Sequence, residues 1–85
     1  MKVLIPAALR SYTRDAQVEA EGGTLDALLA DLDRRYPGLR FRVVDERGLL
    51  RPNMRLFVNG VCVRELQQTL QPADFVAVVL ALSGG

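Results

Sequence analysis

The sequence predicts a single α+β domain in which a mixed five-stranded sheet carries one main helix across one face. Between Thr24 and Pro37 the leucines recur at helical spacing, while the other apolar stretches are short or alternate as strands do. Asn59-Gly60 separates two of these stretches and is a strong signal for a type I′ hairpin. Residues 75–82 are apolar at every position, which is typical of a central strand covered on both faces.

The first part of the chain predicts an antiparallel hairpin. Residues 2–6 form an apolar strand that Pro6 ends, because proline cannot donate a ladder hydrogen bond. In residues 16–21, Val18 and Ala20 alternate with polar side chains, as in a strand with one buried face. Residues 7–15 are expected to be a connection between the two strands.

The main helix is predicted directly after this hairpin. Thr24 is a good N-cap, and Pro37 and Gly38 end the helical pattern. One apolar stripe at helical period is made by Leu25, Leu28, Leu29, Leu32 and Tyr36. We interpret this stripe as the part of the helix that enters the hydrophobic core.

The second half of the chain predicts three more strands. Residues 39–51 have no clear period and are expected to be an irregular connection with at most one ordered turn. Residues 54–58 and 61–63 are the two arms of the Asn-Gly hairpin. Residues 66–70 are interpreted as a polar stretch with a single helical turn, before the last strand over residues 75–82.

The first and last strands are the most apolar, so we expect them to pair in parallel at the centre of the sheet. This is the β-grasp arrangement. Strand alternation then assigns two faces. The side chains expected to face the helix are Val3, Ile5, Leu56, Val58, Val76 and Val78. The side chains expected on the second face, as a docking surface for partners, are Leu4, Phe57, Ala77 and Val79. The alternative is that residues 39–51 or a second copy of the chain cover this face.

Composition excludes several classes of function. The chain has 85 residues and a net charge of +1, which gives no electrostatic reason to expect a nucleic-acid or membrane partner. It has no histidine and one cysteine, so a Ser-His-Asp triad and a multi-thiolate metal site are excluded. We expect a cytoplasmic, non-enzymatic protein that binds no metal or cofactor itself. Cys62 is expected to be a buried, inert strand residue.

The chain ends in Leu82-Ser83-Gly84-Gly85. Two residues without a Cβ can extend through a channel too narrow for side chains and deliver the final carboxylate to another enzyme. We therefore expect one domain over residues 1–85 in which residues 82–85 are an extended, flexible tail. Leu82 and Ser83 are expected to contact the partner, and Gly84 and Gly85 to carry the chemistry.

Over essentially its whole length, the sequence resembles the ubiquitin-like sulfur carriers of the ThiS/MoaD type. The residues that carry the resemblance are Val3-Leu4-Ile5-Pro6 with Leu9-Arg10, Thr24-Leu25, Phe57-Val58-Asn59-Gly60, Asp74 and Gly84-Gly85. The resemblance implies that a partner similar to the ubiquitin-activating enzyme uses ATP to adenylate the Gly85 carboxylate. Sulfur then replaces AMP and is carried covalently at Gly85 as a thiocarboxylate.

The resemblance leaves several pathways open. Small subunits of molybdopterin synthase often carry prolines shortly before the tail, where this chain has Leu80-Ala81. The resemblance therefore favours a carrier for cysteine or another thiocarboxylate-dependent metabolite, with a cysteine synthase as the sulfur acceptor. The large subunit of molybdopterin synthase is the alternative acceptor. A ubiquitin-like protein modifier and a plain β-grasp binding module are alternatives of another class.

Overall fold

The computed structural model of the chain describes residues 1–81 and contains a five-stranded mixed sheet in the order β2-β1-β5-β3-β4. The strands are β1 (Lys2–Leu4), β2 (Gln17–Glu19), β3 (Met54–Val58), β4 (Val61–Val63) and β5 (Phe75–Leu80). The helices are α1 (Arg10–Thr13), α2 (Leu25–Arg35) and α3 (Leu39–Val43), with a 3₁₀ turn over Ala7–Leu9. The predicted β-grasp arrangement is confirmed.

The centre of the sheet is the pairing of the first and last strands. β1 and β5 run parallel, with Val3 opposite Val76. On the other side of β5, β3 runs antiparallel to it, with Leu56 opposite Val78. These four side chains are at most 2% exposed. The three central strands therefore supply the sheet side of the hydrophobic core.

The helix α2 supplies the other side of the core. Its N-cap is Thr24, whose Oγ1 accepts a hydrogen bond from the Ala27 amide at 3.1 Å. The predicted leucine stripe is buried, with Leu25, Leu28, Leu29 and Leu32 each at most 1% exposed. Gly38 lies beyond the end of the helix with a φ of 97°, a left-handed conformation that favours glycine.

The Asn-Gly turn does more than reverse the chain. Asn59 and Gly60 have φ of 50° and 85°, as a type I′ turn requires. The Asn59 side chain donates to Asp74 Oδ1 at 2.9 Å and accepts from the Phe75 amide at 2.9 Å. The backbone amide of Asn59 donates to the Phe75 carbonyl at 2.8 Å. Through its side chain and its backbone, Asn59 therefore attaches the hairpin to the first residue of β5.

Residues 7–15 are more ordered than expected. They form the 3₁₀ turn and the helix α1 in place of an irregular connection. Leu9 and Thr13 are four residues apart and both are buried, so one side of this short segment packs on the core. The chain then turns at Arg14, which has a left-handed φ of 68°.

Residues 39–51 also differ from the expectation. They begin with the helix α3, in which Leu39 and Val43 are four residues apart and each 1% exposed. The alternation of apolar residues with arginines in the sequence concealed this helical spacing. A bridge between Val44 and Leu50 then closes a short reversal of the chain.

Residues 66–70 form no helical turn, and the prediction of one was wrong. The Leu66 carbonyl accepts a hydrogen bond from the Asp26 amide at 2.8 Å, and the Gln68 carbonyl accepts one from the Leu25 amide at 3.1 Å. The first amides of a helix have no partner within it. The segment satisfies those amides of α2 through these two carbonyls. It begins with a non-helical turn, closed by a hydrogen bond from the Gln68 amide to the Glu65 carbonyl at 3.0 Å, and Thr69 then forms a bridge with Thr24.

We predict that Leu28→Ala and Leu32→Ala each lower the free energy of unfolding by about 2–5 kcal/mol, because both remove buried side chains from a closely packed core. Urea denaturation measures the effect. Leu49→Ala is the matched control, since Leu49 is 54% exposed and its truncation should have little effect on the midpoint. A core variant that unfolds at the wild-type midpoint would contradict the packing described for α2.

Asp31 joins α2 to the end of the first hairpin. Its Oδ2 accepts hydrogen bonds from the Glu21 amide and from Arg35 Nε, each at 2.9 Å, and its Oδ1 accepts one from Arg34. These hydrogen bonds lower the pKa of Asp31 from 3.8 to about 2, and the largest contribution comes from the Glu21 amide. The carboxylate therefore stabilises the folded chain only while it is ionised.

We predict that Asp31→Asn lowers stability at pH 7 and that its difference from wild type shrinks as the pH falls. Because the folded-state pKa is depressed to about 2, the contribution is fully present above the unfolded value of 3.8 and is lost as the pH approaches 2. Urea midpoints measured between pH 7 and pH 2 test this. Glu46→Gln is the control, since Glu46 is exposed and forms no ion pair within residues 1–81. A difference that is constant over this range would be inconsistent with the ionised contacts.

Candidate functional site

The predicted chemical site begins where the described part of the chain ends. β5 ends at Leu80, and the Ala81 amide donates to the Asn53 carbonyl at 2.7 Å. The expected partner contacts Leu82 and Ser83 and the expected chemical residues Gly84 and Gly85 lie outside the described residues. Because β5 lies between β1 and β3, the last described residue is at the middle of one end of the sheet.

The second face of the sheet is an apolar surface without a helix over it. Leu4 is opposite Ala77, and Ala77 is opposite Phe57, so these three residues form one row across the central strands. Val79 lies two residues beyond Ala77, nearer the end of β5. Leu4 is 36% exposed, and the other three are half-buried. We call these four residues the open face.

The assignment of the two faces was predictable, but the expectation that the last strand is covered on both faces was wrong. The six residues expected under the helix are all buried, which confirms the alternation. On the other side of β5, Ala77 and Val79 are half-buried and Phe75 is exposed, so β5 is central without being covered on both faces. Leu39 and Val43 belong to the core shared with α2, so residues 39–51 close the helix side of the domain and do not cover the open face.

Cys62 belongs beside the open face, and the expectation that it is buried was wrong. It is exposed and lies opposite Phe57. β4 is an edge strand of the sheet, so it has a neighbouring strand on one side only. The sequence contained a signal for this position: a two-residue turn at Asn59-Gly60 fixes the register that pairs Phe57 with Cys62.

Sequence reasoning also missed two residues at opposite ends of the open face. Phe75 is 37% exposed and lies opposite Lys2, so it extends the apolar surface away from the end of β5. Arg55 lies opposite Val79 and adds a cation at the end where the chain leaves the sheet. Both could have been found by continuing the alternation from Ala77 and Phe57 by two residues.

Other kinds of site have little support in the described structure. Within residues 1–81, no three acidic or cysteine side chains come together in a way that could hold a metal ion. None of the helices in that range has the length and apolar composition that crossing a bilayer requires.

The sequence of the chain matches a known protein family. The sequence profile of the ThiS family matches residues 3–85. The chain belongs to the ThiS family. This match confirms the resemblance to ThiS/MoaD-type carriers, and it includes the last four residues of the chain.

Relatives that match nearly the whole chain carry the name of a sulfur carrier. The sulfur carrier protein CysO of Mycobacterium tuberculosis is 34% identical in an alignment of 89 positions, gaps included, that covers 98% of this chain and 96% of the relative. The crystal structure of M. tuberculosis CysO superposes with a TM-score of 0.90 at 32% identity and covers 95% of this chain and 98% of that chain. The chain is therefore a homologue of CysO, and its family is one of carriers and not of catalysts.

One related structure contains a carrier with another protein. The crystal structure of the Amycolatopsis orientalis BexX/CysO complex matches with a TM-score of 0.90 at 31% identity and covers 99% of this chain and 98% of that chain. A protein of the same fold that carries the name CysO can thus form a complex with another protein. The high TM-scores also confirm the ubiquitin-like fold.

Proposed function

We propose that this chain is a sulfur carrier whose Gly85 carboxylate is activated by a separate adenylating enzyme. A carboxylate oxygen of Gly85 attacks the α-phosphorus of ATP, pyrophosphate leaves, and an acyl adenylate forms. Sulfide then attacks the carbonyl carbon and AMP leaves. If the donor is a persulfide, its terminal sulfur first forms an acyl disulfide, and a thiol then attacks the donor's inner sulfur, forms a disulfide with it and releases the thiocarboxylate. The product is a thiocarboxylate, which is a nucleophile at the end of the chain.

The observation that carries this proposal is the position of the last described residue. Ala81 is hydrogen-bonded at the end of the central strand, and four residues ending in Gly84-Gly85 follow it. At about 3.3 Å per residue, four extended residues would span roughly 13 Å. That length, without side chains at its last two positions, suits delivery of a carboxylate into the active site of another enzyme. The match to the ThiS family over residues 3–85 supports the same conclusion.

The open face is the part of the carrier that we propose binds the adenylating enzyme, together with Leu82 and Ser83. Leu4, Ala77 and Phe57 form a continuous apolar row beside the strand that leads into the tail. Contiguous apolar surface of this kind on a small domain marks an interaction site. An aromatic side chain such as Phe57 is a frequent anchor in protein interfaces. The enzyme that accepts the sulfur needs access to the same tail, so we propose that it binds the same face in turn.

The pathway that we propose is cysteine formation. The relatives named as CysO support it, because they match nearly the whole chain at 34% identity. The sulfur acceptor would then be an enzyme of the cysteine synthase type. ATP would be bound by the adenylating enzyme, and the sulfur would be the only group that this chain carries. The chain would act in the cytoplasm, where both enzymes and ATP are available to it.

Deletion of Gly85 is predicted to abolish adenylation while leaving the free energy of unfolding within a fraction of a kcal/mol, as for substitutions away from packed sites. ATP–pyrophosphate exchange with the adenylating enzyme measures the first effect, and urea denaturation the second. Gly84→Val should act in the same direction, because its side chain must enter the channel that the glycines pass. A chain without Gly85 that supports exchange at the wild-type rate would refute the proposed function.

A charge on the open face is predicted to weaken activation without unfolding the domain. Val79→Glu and Phe57→Glu place a carboxylate in the proposed interface, and we expect kcat/KM for activation to fall by at least about tenfold, the effect of losing one interface anchor. The matched control is Val61→Glu. Val61 is 64% exposed and is paired with Val58, so its side chain lies on the helix side of the sheet and not on the open face.

The control variant should be activated as well as wild type. Circular dichroism and urea midpoints show whether each variant is folded. Variants at Val79 and Phe57 that are folded and fully active would show that the enzyme binds elsewhere.

A further inference from the structure

The arginines of this chain fall into two groups. All but one of its 11 basic side chains are arginines, the exception being Lys2. Four arginines form ion pairs: Arg34 and Arg35 with Asp31, Arg40 with Asp26, and Arg47 with Asp45. The arginines without an ion pair to any carboxylate of residues 1–81 are Arg10, Arg14, Arg42, Arg51, Arg55 and Arg64.

The sheet topology brings these six arginines to one end of the domain. β4 and β1 both run parallel to β5, so the ends of these three strands and the starts of β2 and β3 lie together. Arg14 comes shortly before β2 and Arg64 directly after β4. Arg55 lies opposite Val79 near the end of β5. Each of them is therefore near the end of the sheet at which Ala81 is held.

The remaining three arginines reach the same end through other contacts. Arg10 Nε donates to the Ile5 carbonyl, just after β1, at 3.1 Å. Arg42 and Arg51 line an open cleft of about 450 Å³ that Leu80 of β5 also lines. We call these six residues the basic end.

Three of the guanidinium groups are held in position by backbone carbonyls. Arg10 is bound to the Ile5 carbonyl, as described above. Arg51 Nε donates to the Phe41 carbonyl at 2.7 Å, and its guanidinium lies 4.5 Å from the centroid of the Phe41 ring. Arg55 Nη1 donates to the Pro52 and Met54 carbonyls at 2.6 and 3.0 Å. A carbonyl orients a guanidinium without neutralising its charge, so less entropy is lost when an anion binds.

The net charge of +1 conceals this distribution. The opposite end of the sheet carries Glu19, at the end of β2, and Asp74, directly before β5. The carboxylates adjacent to basic-end arginines in the sequence are Asp15 and Glu65, and neither forms an ion pair within residues 1–81. The domain is therefore polarised, with an excess of positive charge around the start of the tail.

We infer that the basic end binds an acidic protein surface, namely carboxylates that surround the entrance through which an enzyme admits the tail. The inference rests on the proposed function, since the tail must enter an enzyme and the basic end surrounds its start. Charge complementarity at an interface accelerates association and fixes orientation. A protein surface fits better than a nucleic acid, because Arg51 lies over the Phe41 ring on which a base would stack.

Charge reversal tests the inference in the complete carrier. Arg42→Glu and Arg64→Glu change exposed arginines that have no hydrogen-bond partner within residues 1–81. Lys2→Glu changes the net charge equally but lies at the opposite end of the sheet. We expect each arginine variant to lower kcat/KM for activation by about tenfold at low salt and to approach wild type at high salt. We expect Lys2→Glu to leave kcat/KM unchanged.

The outcomes separate the inference from the proposed function. Equal losses for the arginine variants and Lys2→Glu would show an effect of net charge alone and overturn the inference, as would no loss at all. Failure of the wild-type chain to be adenylated at any salt concentration would refute the proposed function. The inference would then be decided by a measurement that needs no enzyme.

Titration of the isotope-labelled chain with hexaglutamate is that measurement. We expect the Nε–H resonances of Arg10, Arg51 and Arg55 to shift, and the amide resonances near Lys2 to stay in place. Equal shifts at both ends of the sheet, or none, would overturn the inference. Hexathymidylate is the comparison for nucleic acid, and binding of it more than tenfold tighter than of hexaglutamate would overturn the assignment to a protein surface.

Discussion

The parallel pairing of β1 and β5 at the centre of the sheet is the contact on which the rest of the structure depends. It places Val3 beside Val76 under α2, so the core forms around the two ends of the chain. It also places the C-terminal end of β5 at the middle of one end of the sheet, with β1 and β3 on either side. The open face is adjacent to Ala81, the last described residue, because Ala77 and Val79 lie in β5, which ends directly before Ala81. A change that breaks this pairing would therefore affect folding together with the proposed docking and delivery of the C-terminus.

Most of the fold could be predicted because its signals are local in the sequence. The leucine stripe of α2, the Thr24 cap and the Asn59-Gly60 turn each involve residues within a few positions of one another. The parallel pairing of the first and last strands was predicted from the apolar stretches at residues 2–6 and 75–82. The short helices α1 and α3 were not predicted, since two buried residues four positions apart give too short a pattern.

Part of the candidate site needed the three-dimensional structure. Strand alternation was sufficient to find the open face, and the terminal glycines are visible in the sequence. The exposure of Cys62 depends on β4 being an edge strand, which follows from strand order and not from the residues around it. The basic end depends on which arginines have carboxylate partners. Arg40 pairs with Asp26 across 14 positions, so sequence spacing alone could not separate it from Arg42.

The most direct measurement of the central claim is the intact mass of the wild-type chain after incubation with the adenylating enzyme, ATP and sulfide. We expect a mass increase equal to the replacement of one oxygen by sulfur, located at Gly85 by fragmentation and absent without ATP. An adenylated chain that never acquires sulfur, and instead becomes joined through Gly85 to lysines of other proteins, would contradict it.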